Sequence, residues 1–283
     1  MKTQSASGGK FSKILFAVDG SPHSTGAVDA VATIAKASKA EVRVLHVLWD
    51  VETLTEADEL VDGIARQLAA AGVAATPEVI KTAEKTIPDA IAEAARQWSA
   101  DLVAVGSRGR SDLGGLFLGS VSHRVLHKLS RPVLIVRTPT DKRRGPHLQR
   151  VLLAVAGGDE VAQAVEAVST IALAAGATIR VLHVRNQTAG EGMAWIETEE
   201  DAAAIIDTIL TRLLVAGVSA ETEVAGPSSF VARDIAEAAR EWDADLIVMG
   251  SRRLSELGGL VAGSINHEVI HLTDRPVLVV EKS

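Results

Sequence analysis

The stretch RPVLIV at residues 131–136 returns as RPVLVV at residues 275–280, a displacement of 144 residues. Near the start of each copy, VLHV at 44–47 matches VLHV at 181–184 with a displacement of 137, so the second copy holds seven extra residues in between. The same 144-residue spacing links further landmarks: AEAAR at 92–96 and 236–240, Trp98 and Trp242, and VGSR at 105–108 with MGSR at 249–252. A period of this length predicts a duplicated domain, because solenoid repeats span only about 20 to 50 residues.

Length and linker composition agree with a duplication. The chain has 283 residues, and a typical domain has about 150. Between the copies, the polar stretch TPTDKRRGPH at 138–147 holds two prolines and a glycine, which do not continue a strand or a helix. We expect one domain at 11–138 and another at 148–283, with a linker at 139–147 and a disordered N-terminal segment at 1–10.

Composition excludes several classes of protein. Hydrophobic residues are 47% of the chain and charged residues 23%, which is typical of globular proteins and not of disordered ones. The absence of cysteine excludes disulfides, thiolate metal sites and a cysteine nucleophile. A formal charge of −7 disfavours nucleic acid as a partner. Without an apolar run of about 20 residues or an apolar signal-peptide core, we expect a cytoplasmic protein with no membrane contact.

The first copy alternates between short apolar runs and amphipathic segments. We predict strands at 14–18, 41–48, 73–80, 101–105 and 132–136, and helices that end near 37 or span 55–71, 87–98 and 120–129. Unbroken apolar strands are typical of parallel sheets covered on both faces. Right-handed crossovers then give strand order 3-2-1-4-5. The predicted fold is α/β, with two tandem doubly wound parallel five-stranded sheets.

In such a sheet the ligand crevice lies beyond the carboxyl ends of strands one and four. Asp19 follows the first strand, and a glycine-rich loop follows the fourth, with Gly106, Gly109, Gly119 and Ser120 in the pattern Gly-x2-Gly-x9-Gly-Ser. Glycines let backbone N–H groups approach phosphate oxygens, and the helix that opens at Ser120 favours anions at its N-terminus. The pattern predicts a phosphate cradle; a merely structural strand-to-helix turn is the alternative.

This combination resembles the ATP-binding signature of the universal stress protein family. The resemblance implies an adenine nucleotide alpha hydrolase-like fold that binds ATP, with Mg²⁺ as its companion. It implies that Asp19, flanked by Ala17 and Val18, contacts the nucleoside and that the backbone of Val47 meets the adenine. It also implies that the loop residues surround the ribose and phosphates: Gly106, Arg108, Gly109, Gly119, Ser120, Val121 and Ser122.

The second copy departs from this signature at two positions. Ala156 stands where the first copy has Asp19, and Arg253 replaces the second loop glycine, although Gly250, Gly263 and Ser264 remain. A side chain at the second glycine position extends toward the phosphates. We expect the second pocket to lack ATP and to serve as a structural partner. A smaller ligand, with an anion neutralised by Arg253, is the alternative.

Four histidines form two pairs at helical spacing, His123 with His127 and His267 with His271. Such spacing can bind a metal, but a zinc-protease motif and an evident third ligand are missing, so a role at a helix surface or an interface is the better hypothesis and the metal stays unknown. The other paired histidines, His46 and His183, are predicted to be partly buried and hydrogen-bonded.

The pocket residues are mainly groups that hold a ligand, which favours a nucleotide-dependent stress-response binding module over a dedicated enzyme. The resemblance implies dimerisation through the terminal strand, so we hypothesise that the two copies pair with each other about a pseudo-two-fold axis. A homodimer and an unidentified protein partner stay open. The alternative functions are a slow ATPase or phosphotransferase that uses Asp19 and a metal, and a scaffold or small-ligand binder that uses the second copy.

Overall fold

The computed structural model describes residues 11–21, 27–48, 53–82, 85–107, 120–136, 148–157, 161–190, 193–251 and 264–281. Strands and helices alternate through the first half of the chain: β1 Lys13–Val18, α1 Val28–Ser38, β2 Glu41–Leu48, α2 Leu54–Ala70, β3 Ala75–Lys81, α3 Ile87–Gln97, β4 Leu102–Gly106, α4 Ser120–Lys128 and β5 Val133–Val136. The second half follows the same plan: β6 Arg150–Val155, α5 Val161–Ala175, β7 Thr178–Gly190, β8 Met193–Ile196, α6 Glu199–Val215, β9 Ala220–Ser228, α7 Val231–Glu241, β10 Leu246–Ser251, α8 Ser264–Leu272 and β11 Val277–Glu281. The N-terminal segment and the linker of the sequence prediction lie outside the described residues.

The predicted α/β fold is confirmed. The first half has strand order β3-β2-β1-β4-β5, and every pairing within it is parallel. The second half repeats this order as β9-β7-β6-β10-β11, again with parallel pairings. In the first half, β3 lies at the edge of the sheet, where its proline is tolerated because an edge strand has one unpaired side.

Strand β1 shows how both faces of the sheet are covered. Ile14, Phe16 and Val18 lie in one apolar core, and Leu15 and Ala17 lie in the other. Alternate residues of a strand point to opposite faces, so helices must shield both faces from water. The unbroken apolar runs in the sequence therefore predicted this double burial correctly.

The helix ends follow local chemistry, with one difference from expectation. The side chain of Thr53 accepts a hydrogen bond from the N–H of Glu56, whose carboxylate accepts one from the N–H of Thr53, and this capping box starts α2. The hydrogen bonds from Thr53 lower the pKa of the Glu56 carboxyl below its usual range. The described helix α1 begins at Val28 with Ala27 at its N-cap. Alanine is a poor N-cap residue, whereas Ser21 and Pro22 are residue types that commonly start a helix, so the sequence alone favours an earlier start.

The second half contains an element without a counterpart in the sequence prediction. Strand β7 has 13 residues where β2 has eight. Its extension pairs antiparallel with β8, with Gln187 opposite Ile196 and Gly190 opposite Met193. The extra residues of the second copy therefore build a hairpin that projects from the carboxyl end of β7.

The two halves meet along their last strands. Strand β11 pairs antiparallel with β5, with Val277 opposite Ile135, Leu278 opposite Leu134 and Val279 opposite Val133. Leu134 and Leu278 occupy equivalent positions of the repeat, so the register is symmetric about them. On one face α1 packs against α5, and both apolar cores contain residues from both halves. Among the described residues, the result is one continuous sheet of eleven strands.

Substitution of Leu134 or Leu278 tests how much packing at this contact stabilises the fold, since both side chains are 0% exposed. We expect Leu134→Ala and Leu278→Ala each to lower the free energy of unfolding by about 2–5 kcal/mol, because truncation leaves a cavity in a closely packed core. Denaturant unfolding of the full chain measures the loss.

The matched control is Val215→Ala, at an apolar side chain that is 85% exposed. It should change stability by less than about 0.5 kcal/mol. A similar small effect at Leu134 would contradict the packing between β5 and β11.

Candidate functional site

The residues predicted to bind nucleotide come from strands whose carboxyl ends are neighbours in the sheet. Ala17 pairs with Val105 of β4, and Val18 pairs with His46 of β2. Val47 follows His46, and Gly106 is the last residue of β4. The topology therefore brings the predicted contacts of β1, β2 and β4 to one end of the sheet, where a crevice between their loops is expected.

Asp19 begins a tight turn directly after β1. Its Oδ1 accepts a hydrogen bond from the backbone N–H of Ser21 at 3.0 Å, and Gly20 between them has φ of 74°. Positive φ costs glycine little because it has no Cβ. The carboxylate is half-buried, so it is held in a defined position at the mouth of the crevice.

His46 ties the ends of β1 and β2 together. Its Nδ1 lies 2.7 Å from the carbonyl oxygen of Val18, and the side chain is 4% exposed. A carbonyl oxygen can only accept, so Nδ1 carries the proton and donates. His183 makes the same contact with Val155 in the second half, at 3.0 Å. The prediction that both histidines are buried and hydrogen-bonded is confirmed.

The first turn of α4 is attached to the end of β4. The Ser122 hydroxyl is 2% exposed and donates to the carbonyl oxygen of Ser107 at 3.1 Å. This bond fixes where the N-terminus of α4 lies relative to the sheet. Ser120 is exposed and Val121 is half-buried, so Ser120 at the opening of the helix is the more accessible hydroxyl.

Ser107 is a candidate site residue that the sequence pattern did not single out. It follows Gly106 at the end of β4 and is 2% exposed, and its buried Oγ has no hydrogen-bond partner among the described residues. A buried hydroxyl without a partner is costly unless a ligand or water satisfies it. The sequence feature that could have identified Ser107 is its position directly after the first glycine of the loop. The other predicted loop residues, Arg108, Gly109 and Gly119, lie outside the described residues.

The corresponding end of the second half is built differently. Ala156 is exposed after β6, where the first half has Asp19. A Cβ added to Gly157 would lie 3.2 Å from Cδ1 of Ile205 on α6, so an apolar side chain approaches this loop closely. Asn266 replaces Ser122, and its Nδ2 donates to the carbonyl oxygen of Gly250 at 3.3 Å. Ser264 begins α8, whereas Arg253 and Gly263 lie outside the described residues.

A buried acid–base pair also occupies this end of the second half. Glu197 follows β8 and is 6% exposed, and His183 is 3% exposed. Oε1 of Glu197 lies 2.8 Å from Nε2 of His183, and its Oε2 accepts the N–H of Asn186 at 3.0 Å. The hairpin thus brings a carboxyl group to His183, which precedes Val184, the equivalent of Val47. Both oxygens of that carboxyl group are occupied by protein groups.

The described residues lack two features that other functions would require. They contain no group of three or more histidine, cysteine or acidic side chains arranged to hold a metal ion. No helix among them is long and apolar enough to cross a membrane.

Sequence comparison finds related proteins for both halves. The model of the universal stress protein family matches residues 10–137 and again residues 147–281. Universal stress protein YxiE of Bacillus subtilis (strain 168) is 33% identical over 147 residues, which cover 45% of this chain and 99% of that protein. A universal stress protein of Mycolicibacterium smegmatis (strain ATCC 700084 / mc(2)155) is 29% identical over 189 residues, which cover 64% of this chain and 62% of that protein.

A solved structure shares the whole architecture. The crystal structure of a universal stress protein from Archaeoglobus fulgidus DSM 4304 matches with a TM-score of 0.76 at 24% identity, and the match covers 96% of this chain and 99% of that one. At this identity the likeness shows the fold, including its two halves. Because the family model matches both halves and together these matches span most of the sequence, the chain belongs to the universal stress protein family.

Proposed function

We propose that this chain is an ATP-dependent binding module of the stress response, acting in the cytoplasm, with ATP bound in the first half. The observation that carries the proposal is the convergence of a positioned carboxylate and a helix N-terminus at adjacent strand ends. Asp19 is held by its turn after β1, and α4 is attached to the end of β4 through Ser122. A carboxylate accepts hydrogen bonds from the hydroxyl groups of a nucleoside, and a helix N-terminus attracts the negative charge of phosphates.

The unpartnered Oγ of Ser107 supports a polar ligand at this place. It is the kind of buried group that a phosphate or ribose oxygen would satisfy. In the sequence, the loop between β4 and α4 contains glycines, whose backbone N–H groups would donate to phosphate oxygens. It also contains Arg108, whose positive charge would attract the phosphates. Mg²⁺ would accompany the phosphates, since it binds chiefly through phosphate oxygens and water and needs few protein carboxylates.

The second half, in this proposal, is a structural partner without ATP. It lacks the carboxylate of Asp19, and it holds Ile205 against Gly157 and Glu197 next to His183. Each domain, 11–138 and 148–283, would correspond to one subunit of a dimer that a single-domain relative forms between chains. The symmetric register of β5 and β11 supports this pseudo-dimer.

The number of nucleotides per chain tests the asymmetry. We expect native mass spectrometry of the full chain with ATP to show one ATP bound, because only the first half has both Asp19 and the glycine loop. Two bound nucleotides would contradict the assignment of the second half. No bound nucleotide would refute the site itself.

Substitution of Asp19 tests the role of its carboxylate. Asp19→Ala should weaken ATP binding about tenfold or more, because a charged hydrogen-bond acceptor is worth about 1.5–3 kcal/mol. Asp19→Asn keeps an oxygen that can accept the N–H of Ser21, so it preserves the turn while removing the charge. Isothermal titration calorimetry measures both affinities.

A matched control removes an exposed carboxylate that is not among the predicted nucleotide contacts. Asp58→Ala on α2 should leave the affinity unchanged, because Asp58 is exposed on the surface of that helix. If Asp19→Asn binds ATP as tightly as the unaltered chain, the turn matters and the charge does not.

A turnover assay tests the alternative function. Repeated ATP hydrolysis by the unaltered chain, abolished in Asp19→Ala, would favour a slow ATPase over a binding module.

The glycine loop is tested by copying the second half into the first. Gly109→Arg reproduces Arg253 and should weaken ATP binding about tenfold or more, because a side chain blocks the approach of phosphate to the backbone. Gly63→Arg is the control, since nothing lies within 4 Å of a Cβ added at that position. Equal affinities of the two variants would show that Arg253 is not what disables the second pocket.

A further inference from the structure

Four imidazole rings lie in a row across the contact between the two halves. His127 and His123 on α4 have ring centroids 4.6 Å apart, His123 and His267 are 4.9 Å apart, and His267 and His271 on α8 are 4.2 Å apart. We call these four residues the histidine row. Its central contact joins equivalent positions of the repeat, so the row shares the symmetry of the β5–β11 pairing.

The row lies partly out of water. His123, His267 and His271 are half-buried, and His127 at the end of the row is exposed. Nε2 of His271 lies 3.1 Å from Nε2 of His267. A hydrogen bond between two ring nitrogens needs one donor and one acceptor, so at least one of these two rings must be neutral.

The surroundings of the row disfavour positive charge. Burial, followed by the neighbouring His271, His123 and His127, lowers the pKa of His267 to about 4. Burial, followed by His127, His271 and Arg124, also lowers the pKa of His123. These neighbours are histidines, which become positive on protonation, and Arg124, which is always positive. They therefore oppose a positive charge on His123 and His267.

Several acidic groups lie on the helices that pack against the row, and most of them have other partners. On α3, Asp89 binds Lys128 of α4, and Glu93 binds Arg96 and Gln97. On α7, Glu237 pairs with Arg240. Asp234 of α7 differs, since its Oδ2 is buried without a hydrogen-bond partner among the described residues, and Glu268 of α8, next to His267, is exposed. None of these carboxyl groups offsets the lowering of the His123 and His267 pKa values, which burial and the neighbouring histidines cause.

We propose that the histidine row makes the contact between the two halves of this chain sensitive to pH, so that protonation of His123 and His267 loosens the pairing of β5 with β11. When the halves separate, the rings regain water and their ordinary pKa of about 6.5. The separated state then binds protons more tightly than the paired state. The contact is thus fully stable above about pH 6.5 and loses stability as the pH falls toward about 4. This inference does not depend on nucleotide binding.

Hydrogen exchange of the full chain at two pH values tests the proposal locally. After correction for intrinsic rates, peptides that contain β5 and β11 should exchange faster at about pH 5 than at about pH 7.5, because their shared hydrogen bonds open more often. Peptides that contain β2, which lies away from the contact, are the internal control. In a His123→Gln/His267→Gln variant, the extra exchange of β5 and β11 at low pH should disappear.

Two results would overturn the proposal. One is equal protection of β5 and β11 at both pH values in the unaltered chain. The other is the same acid-induced loss of protection in the double variant, since the histidines would then not be its cause.

The number of protons taken up on unfolding gives a second readout. At about pH 5, His267→Gln should reduce that uptake by about one proton, because a protonated histidine of the unfolded chain is lost while the folded state changes little. If neither the double nor the single variant folds, titration of the His267 ring by NMR in the unaltered chain decides: a midpoint near 6.5 refutes the proposal.

Discussion

The antiparallel pairing of β5 with β11 is the contact on which the rest of this molecule depends. Each half alone would end in an apolar strand with an unpaired edge, and such an edge is prone to aggregation. Pairing the two edges satisfies their backbone groups and makes the two apolar cores continuous across the halves. Because the register is symmetric about Leu134 and Leu278, it also places α4 opposite α8 and brings the histidine row together.

Duplication within one chain allowed the two crevices to differ while the framework stayed the same. His46 and His183 make the same contact to the end of the preceding strand, and Ser122 and Asn266 hold their helices to neighbouring carbonyl groups at the end of the fourth strand, those of Ser107 and Gly250. The differences at the carboxyl ends of the strands include Ala156 in place of Asp19 and Glu197, which enters from the hairpin. In one half a half-buried carboxylate follows β1 and accepts the N–H of Ser21, and in the other a buried carboxyl group contacts His183 and accepts the N–H of Asn186.

Much of the framework was predictable because it depends on local patterns. Unbroken apolar runs identified the strands, and the handedness of crossovers gave their order. Asp19 and the glycine loop could be assigned as a candidate site because they follow neighbouring strands. Ser107 was missed because its significance is a buried, unpartnered hydroxyl, which no sequence pattern reveals. Glu197 was missed because its partner His183 becomes a neighbour only after the hairpin folds back.

The sequence by itself determined the duplication, the α/β class, the strand order and the loss of Asp19 and the second glycine from the second copy. These features follow from periodicity and from residue types at fixed spacing, which act over short stretches of chain. Only the tertiary structure decided the register in which β5 pairs with β11, how the hairpin closes on His183, and that His123 lies against His267. Those contacts join residues far apart in the chain, and their geometry is fixed by the packing of sheets and helices as a whole.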